Sequence, residues 1–375
     1  MPVATTPHRS LLEKLEQDYC NIDVDSLDAA VAKAMPFKPH NQTSNQVIVL
    51  TAMVAPENRE DVLAVCREHK DKGWEYIYDR IAARLCKKNI ENITERVLLQ
   101  TSARKAYDKE GVLAHARSYA AAFEEVGIPR YGLGSTFTSD RFCIKVPCTG
   151  PALAAARILN DEGIRTLGTS LFGLPQAIAA SQAGCLYISP YYNECRAHAE
   201  LDTLWPNVED PATQHPFSFR TRHILETYQK LYQETGKEQP KVLSASFVNA
   251  KEVVANAELG VWGMTLPPAL LKEMANTPDD GPVPSDPKPY HPYAKKGPVP
   301  ARFAEMSTKD PLAGANWDGK LASTEIDYIA NNGAALDKAN KEDPVVGPRL
   351  QDALDIFVQA DADVKAEIEK ALASI

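Results

Sequence analysis

Short apolar runs alternate along this chain with segments that carry the 3.6-residue period of amphipathic helices. The runs cover residues 20–24, a region near 45–50, then 97–100, 142–146, 166–169, 185–189, 241–246 and 261–265. Helical patterns lie between them at 59–72, 74–87, 111–126, 151–162, 174–183 and 221–235. Pro151 opens one of these helices and Gly163 closes it, while Pro175 falls in the first turn of another. Strands that alternate with helices form parallel sheets, and eight such units close a barrel. The spacing predicts an α/β chain, a (β/α)8 TIM barrel. A doubly wound open sheet is the rival that periodicity alone leaves standing. The apolar run from Asn45 to Met53 also has a second reading, as the start of a helix.

Beyond the eighth unit the pattern changes. Residues 276–302 are proline-rich and read as an irregular excursion, and two helical patterns follow near 321–341 and 347–375. The expected organisation is a barrel core over 1–275, the excursion over 276–302, and a helical extension over 303–375 packed on the barrel. A chain of 375 residues that is 44% hydrophobic and 24% charged can bury such a core. Its net charge of -9, without a basic arm or stripe, argues against a nucleic-acid surface. Seven scattered cysteines without a C-x-x-C pair fit neither a disulfide framework nor a zinc site, and they suit a reducing compartment. The N-terminal Met-Pro-Val-Ala-Thr-Thr-Pro-His lacks an apolar signal core, and no stretch reaches the ~18 apolar residues of a membrane span. A cytoplasmic location is expected, with the sequons at Asn41 and Asn92 read as chance matches.

Within the run 142–146 sits a lysine, Lys145. Burial disfavours an ammonium ion, lowers its pKa and leaves more free amine. A free amine at a strand end can attack a ketone or aldehyde and form a Schiff base. The alternative is a lysine whose stem packs while its ammonium reaches water. In a barrel, working residues project from the C-terminal strand ends, which here carry Asp25, Asn45, Gln100, Lys145, Thr169, Ser189 with Tyr191, and Ser246. An amine, a carboxylate and neutral hydrogen-bonding groups suit carbonyl chemistry on a polyol. Taken singly, Asp25 reads equally as a helix N-cap, Asn45 and Thr169 as turn or core residues, and Tyr191 as packing.

Several segments together resemble the transaldolase family. They are Ile144-Lys145-Val-Pro-Cys-Thr149, Glu162-Gly-Ile-Arg-Thr-Leu-Gly-Thr169-Ser-Leu-Phe172-Gly-Leu-Pro-Gln176 and Ala183-Gly-Cys-Leu-Tyr-Ile-Ser189-Pro-Tyr191. Asp25-Ser-Leu-Asp28, Thr43-Ser-Asn45, Ala245-Ser246-Phe247 and Leu266-Pro-Pro-Ala-Leu-Leu-Lys-Glu273 extend the resemblance from about residue 20 to 274. It implies a metal-free, cofactor-free class I aldol mechanism in which Lys145 forms the Schiff base and Asp25 is the general acid/base. Asp23 stands close enough to compete for that role. Asn45 and Ser189 are implied to hold hydroxyls of a dihydroxyacetone unit, Thr169 to help bind a water, and Ser246 to contact the substrate's phosphate end.

Three departures are similar to the fructose-6-phosphate aldolase branch. Gln100 replaces a glutamate, Tyr191 a phenylalanine and Leu167 an asparagine. In that branch the glutamine, threonine and tyrosine jointly hold the catalytic water. A neutral amide orients but cannot accept a proton as glutamate does, whereas a phenol can donate one. The family's two phosphate-binding arginines align with Glu194 and Val248, and a carboxylate in such a place repels phosphate. Arg196, Lys251, Arg220 and Arg222 are the nearby cations that could substitute.

The expected function is therefore transfer of dihydroxyacetone between sugar phosphates, as in the pentose phosphate pathway of carbohydrate metabolism. The alternatives are an aldolase releasing free dihydroxyacetone, a specialised biosynthetic aldolase with an unphosphorylated substrate, and a silent barrel used as a scaffold. The expected partners are small ketoses and aldoses, with a homodimer as an option. Gly132-x-Gly134 lacks the third glycine of a dinucleotide site. His198 and His223 read as surface or packing residues, and Cys148 as packing.

Overall fold

The computed structural model describes residues 9–128, 140–279, 293, 299–315 and 317–375. Most of the proline-rich excursion, and the glycines at 132 and 134, lie outside these residues.

Eight parallel strands form a closed barrel in sequence order: β1 (Asn21–Val24), β2 (Gln42–Thr43), β3 (Val97–Gln100), β4 (Phe142–Pro147), β5 (Thr166–Leu171), β6 (Tyr187–Pro190), β7 (Lys241–Ser244) and β8 (Gly263–Leu266). Closure is made by β8 on β1, with Asn21 to Val24 paired in register with Gly263 to Leu266. The open-sheet rival is thereby excluded, and closure also removes unpaired strand edges.

One strand lies elsewhere than its apolar signal. The run near 45–50 is not a strand but the start of the helix Gln46–Val54, and β2 is the polar pair Gln42–Thr43 just before it. Asn45 stands at the N-cap and its Oδ1 accepts from the Ile48 amide at 3.0 Å, which ends the strand and fixes the helix entry.

Side chains alternate between barrel interior and the outer helix layer. Leu98, Cys143, Leu167, Tyr187 and Leu243 form a small buried cluster separate from the main core. Two residues further along β3, β4, β5 and β6 stand Gln100, Lys145, Thr169 and Ser189. The apolar cluster is therefore the floor on which a polar layer sits. Leu167 pairs in register with Lys145, so an apolar side chain lies beside the amine at floor level.

The C-terminal extension consists of helices Ala330–Glu342 and Val346–Ala373. Residues 321–329, expected to open the first of them, are irregular, and the turn at Asn331, Asn332 and Gly333 has positive φ at all three positions. Gly333 lies against Gly150, the first residue of the helix after β4, so closely that a Cβ at Gly333 would stand 2.1 Å from the Gly150 Cα. Asp337 accepts from the Gly150 amide at 2.7 Å, and Asn340 Nδ2 donates to the Cys148 carbonyl at 3.1 Å. The extension thus packs on the face from which the strand C-termini emerge. None of the described helices is long and apolar enough to cross a membrane. The seven cysteines are free, as their scatter suggests.

Candidate active site

The β4 backbone carries Lys145 into the barrel with only 5% of its surface exposed. Its Nζ donates to Thr43 Oγ1 at 2.9 Å, on β2, the strand beyond the adjacent β3. Burial pushes the amine down from its usual 10.5 to about 8, with Asp25, Cys143 and Asp23 opposing the shift. The alternative of an ammonium reaching water is thus excluded. About a tenth of an amine so placed is unprotonated at pH 7, against well under a thousandth of an ordinary lysine.

Two carboxyls of β1 and its end face this amine, and they differ in their surroundings. Asp23 is fully buried, and both its oxygens are taken by Asn41, whose backbone amide and Nδ2 donate at 2.9 to 3.0 Å. Burial raises Asp23 to about 7. Asp25, one layer nearer the mouth, is partly accessible and makes none of these contacts. Burial of its carboxyl raises its pKa, opposed by the charge of Lys145. The grip of Asn41 also buries the sequon asparagine itself at 2% exposure.

On the other side of Lys145, β5 and the end of β6 place Thr169 Oγ1 3.0 Å from the Tyr191 hydroxyl. Burial pushes the phenol well up, so it stays protonated and serves as a donor. Between these strands the ladder shifts register after Gly168, and Ser170 adopts φ 53°. That irregularity lets Thr169 and Tyr191 meet, and Phe172 closes edge-on over the Tyr191 ring at 5.5 Å.

Gln100, paired in register with Lys145, turns its amide to Gln46, donating from Nε2 to Gln46 Oε1 at 3.0 Å. Among the described residues its buried Oε1 has no hydrogen-bond partner. Gln46 in turn donates to the carbonyls of Gln100 and Thr101. Ser189, 5% exposed, points into the same layer from β6. Asn45 is half-buried, with its side-chain Oδ1 committed to the Ile48 amide at the cap.

Ser246 is drawn away from this set. At φ 69° its hydroxyl donates to the Asn193 carbonyl at 2.8 Å and lies 2.8 Å from His198 Nε2. Three of the four candidate substitute cations are engaged as well, and among the described residues Lys251 is not. Arg220 is 3% exposed and held by Asp310, Asp343 and the Phe172 carbonyl. Arg222 bonds Glu226 and the Leu259 carbonyl, Arg196 pairs with Glu200 and Asp352, and Lys251 is exposed on its helix. His223 is buried against the Met306 carbonyl rather than placed at the site.

Thr43, Gln46 and Arg349 belong to the surroundings of the site although sequence reasoning did not single them out. Thr43 lies on the strand that carries no apolar signal. Arg349 comes from the C-terminal helix and meets Glu194 at 3.1 Å. Among the described residues no cluster of His, Cys, Asp and Glu is placed to hold a metal ion.

A family model described as transaldolase/fructose-6-phosphate aldolase matches residues 21–309. A transaldolase of Nostoc punctiforme is 31% identical over 291 residues, 74% of this chain and 80% of that protein. A transaldolase of a Synechocystis species is 29% identical over 317 residues, 81% of this chain and 75% of that one. A transaldolase of a second Nostoc species is 27% identical over an alignment of 381 positions that spans 98% of both chains.

Proposed function

The chain belongs to the transaldolase/fructose-6-phosphate aldolase family, and from that premise we propose that it transfers a dihydroxyacetone unit through a Schiff base on Lys145. The observation that carries this reading is the buried amine at about 8, set between the Asp25 carboxyl and the Thr169–Tyr191 hydroxyl pair. In the proposed cycle the Lys145 nitrogen attacks the ketose C2 carbonyl, and loss of water gives an iminium. Asp25 accepts the C4 hydroxyl proton as the C3–C4 bond breaks, and the bonding pair flows to the iminium nitrogen. An aldehyde leaves and an enamine stays on Lys145. The enamine C3 then attacks an acceptor aldehyde, Asp25 returns the proton to the new hydroxyl, and water releases the product. Asp25 suits this role better than Asp23, because Asn41 occupies both oxygens of Asp23. Ser189 and Asn45 are proposed to hold donor hydroxyls. We assign the reaction to cytoplasmic carbohydrate metabolism.

A second reading is favoured by one contact. The Thr169–Tyr191 pair, with the unpartnered Gln100 Oε1, can hold a water beside the iminium. If the enamine is protonated and hydrolysed before an acceptor arrives, free dihydroxyacetone is released and the enzyme acts as an aldolase.

Borohydride reduction in the presence of dihydroxyacetone, followed by peptide mass spectrometry, tests the Schiff base. A reduced adduct is expected on Lys145, and labelling elsewhere or nowhere would count against the proposal. In Asp25→Asn the adduct is expected to persist while turnover of a ketose donor falls about 10²–10⁴-fold. Loss of trapping together with turnover would assign Asp25 to holding the amine rather than moving a proton.

The pH profile gives an independent check. Schiff-base formation needs free amine, whose fraction rises with pH through about 8. The rate is expected to climb about tenfold per pH unit below that value and to level off above it. A rise continuing to pH 10 would show a lysine of ordinary basicity.

A further inference from the structure

The helix Val346–Ala373 is pinned at two places on the barrel rim. Arg349 meets Glu194 at 3.1 Å and Asp352 meets Arg196 at 3.7 Å, both in the loop after β6. Asp361 accepts from Ser102 Oγ at 2.5 Å, just after β3. In a closed ring of eight strands, β3 and β6 stand nearly opposite. The twelve-residue interval from 349 to 361 covers roughly 18 Å of helix, enough to cross the mouth of a small barrel. Leu350, Ala353, Leu354 and Phe357, between the pins, are buried. The helix therefore roofs the mouth on the side from β3 to β6, where it also touches β5. It lies beyond residues 21–309, the part matched by the family model.

The arginines beneath the β6 end of this roof are paired with carboxylates. Glu194 and Arg349 are 15% and 18% exposed, so the pair is partly open rather than sealed. Glu252 is occupied by Asn193, Trp205 and the Val248 amide. His215 is pushed down to about 3 by burial, so it carries no charge. Among the described residues of the loops after β6 and β7, no arginine is left without a carboxylate partner. A phosphate dianion entering here would meet the Glu194 carboxylate and would have to break the pair to reach Arg349. Neutral hydroxyls meet no such barrier: the guanidinium donates to them and the carboxylate accepts from them.

We propose that the Arg349–Glu194 pair, carried by the roof, forms the distal subsite and selects unphosphorylated polyhydroxy substrates over sugar phosphates. This rests on the Schiff-base reading of Lys145 and names the substrate class for it. The test is borohydride trapping on Lys145 with fructose, fructose 6-phosphate and dihydroxyacetone, in the wild type, Glu194→Gln and Arg349→Met. Dihydroxyacetone lacks a distal end and is expected to label all three proteins, which also shows that they are folded. The wild type is expected to label with fructose at lower concentration than with fructose 6-phosphate. Glu194→Gln releases the guanidinium and is expected to shift the ratio toward fructose 6-phosphate by about tenfold or more. Arg349→Met leaves a bare carboxylate and is expected to shift it the other way. Comparison of ratios between variants cancels the different open-chain fractions of the two ketoses. A wild-type preference for fructose 6-phosphate, or a ratio that neither substitution moves, overturns the subsite assignment while leaving the Schiff base intact. If no ketose labels Lys145 in the wild type, the Schiff-base reading itself fails and the subsite falls with it.

Discussion

Lys145→Met is expected to abolish both turnover and borohydride adduct formation while making the protein more stable at neutral pH. The two effects have one cause. Folding places the amine where its pKa is about 8 against an ordinary 10.5. Between those values the unfolded chain holds a proton that the folded chain gives up, so stability rises with pH across the window. Below about 8 the folded state carries the full cost of a buried ammonium. The difference, 10.5 − 8 = 2.5, corresponds to ~3 kcal/mol at about 1.36 kcal/mol for each pKa unit. Methionine fills the volume of the lysine stem without the charge. Thr43 loses its donor and Asp25 its neighbouring cation, which offsets part of the gain, so a net increase of roughly 1–3 kcal/mol is expected at pH 7. The gap between variant and wild type should narrow as pH rises toward 10. Urea unfolding at pH 7 and pH 10 checks this. A variant less stable than wild type at pH 7, or a gap that ignores pH, would show that the lysine contributes structural support.

Gly333→Val is expected to release the C-terminal extension from the barrel. Gly333 has φ 78°, and a Cβ there would stand 2.1 Å from the Gly150 Cα and 2.2 Å from its carbonyl carbon. These are backbone atoms at the head of the helix that follows the Lys145 strand, so no side chain can turn aside. A β-branched residue in the left-handed region adds conformational strain to the collision. The loss is expected to reach about 3 kcal/mol or more, the range of forced clashes at tightly packed sites. Limited proteolysis should then cut first within 310–345, and the transition temperature should fall. Gly150→Ala meets the Gly333 carbonyl oxygen at 2.3 Å and should act in the same direction. Resistance of both variants to proteolysis would mean that the extension is held mainly by its other contacts, such as Asn340 to Cys148 and Asp361 to Ser102.

The barrel was legible because most of its strands are apolar runs bounded by turns. Residues 142–146 and 166–169 fall within β4 and β5, and 97–100 coincides with β3. β2 was not legible, because two polar residues carry no periodicity and draw their ladder bonds from neighbours remote in sequence. The apolar run beside it belongs to a helix, and its signal was Asn45, a residue suited to an N-cap. The polar layer holding Lys145, Gln100, Thr169 and Ser189 could be read from strand ends, since alternate residues share a face. Ser246 could not be placed that way, because its left-handed backbone turns it out of the strand pattern. Only the resemblance of Asp25-Ser-Leu-Asp28 favoured Asp25 over Asp23; the physical difference is Asn41, on the neighbouring chain segment, which occupies Asp23. Arg349 was invisible for a related reason. Its relation to Glu194 depends on the path of a helix across the barrel, and no local pattern encodes that path.

The position of that helix in the chain also orders assembly. The Ser102–Asp361 contact joins residues 259 positions apart, and the strand ends are all synthesised before the helix that covers them. Closing so long a loop comes late, after the more local strand-helix units have formed. Refolding should therefore pass through a species with a complete ladder and an open mouth, with docking of this helix as its last step.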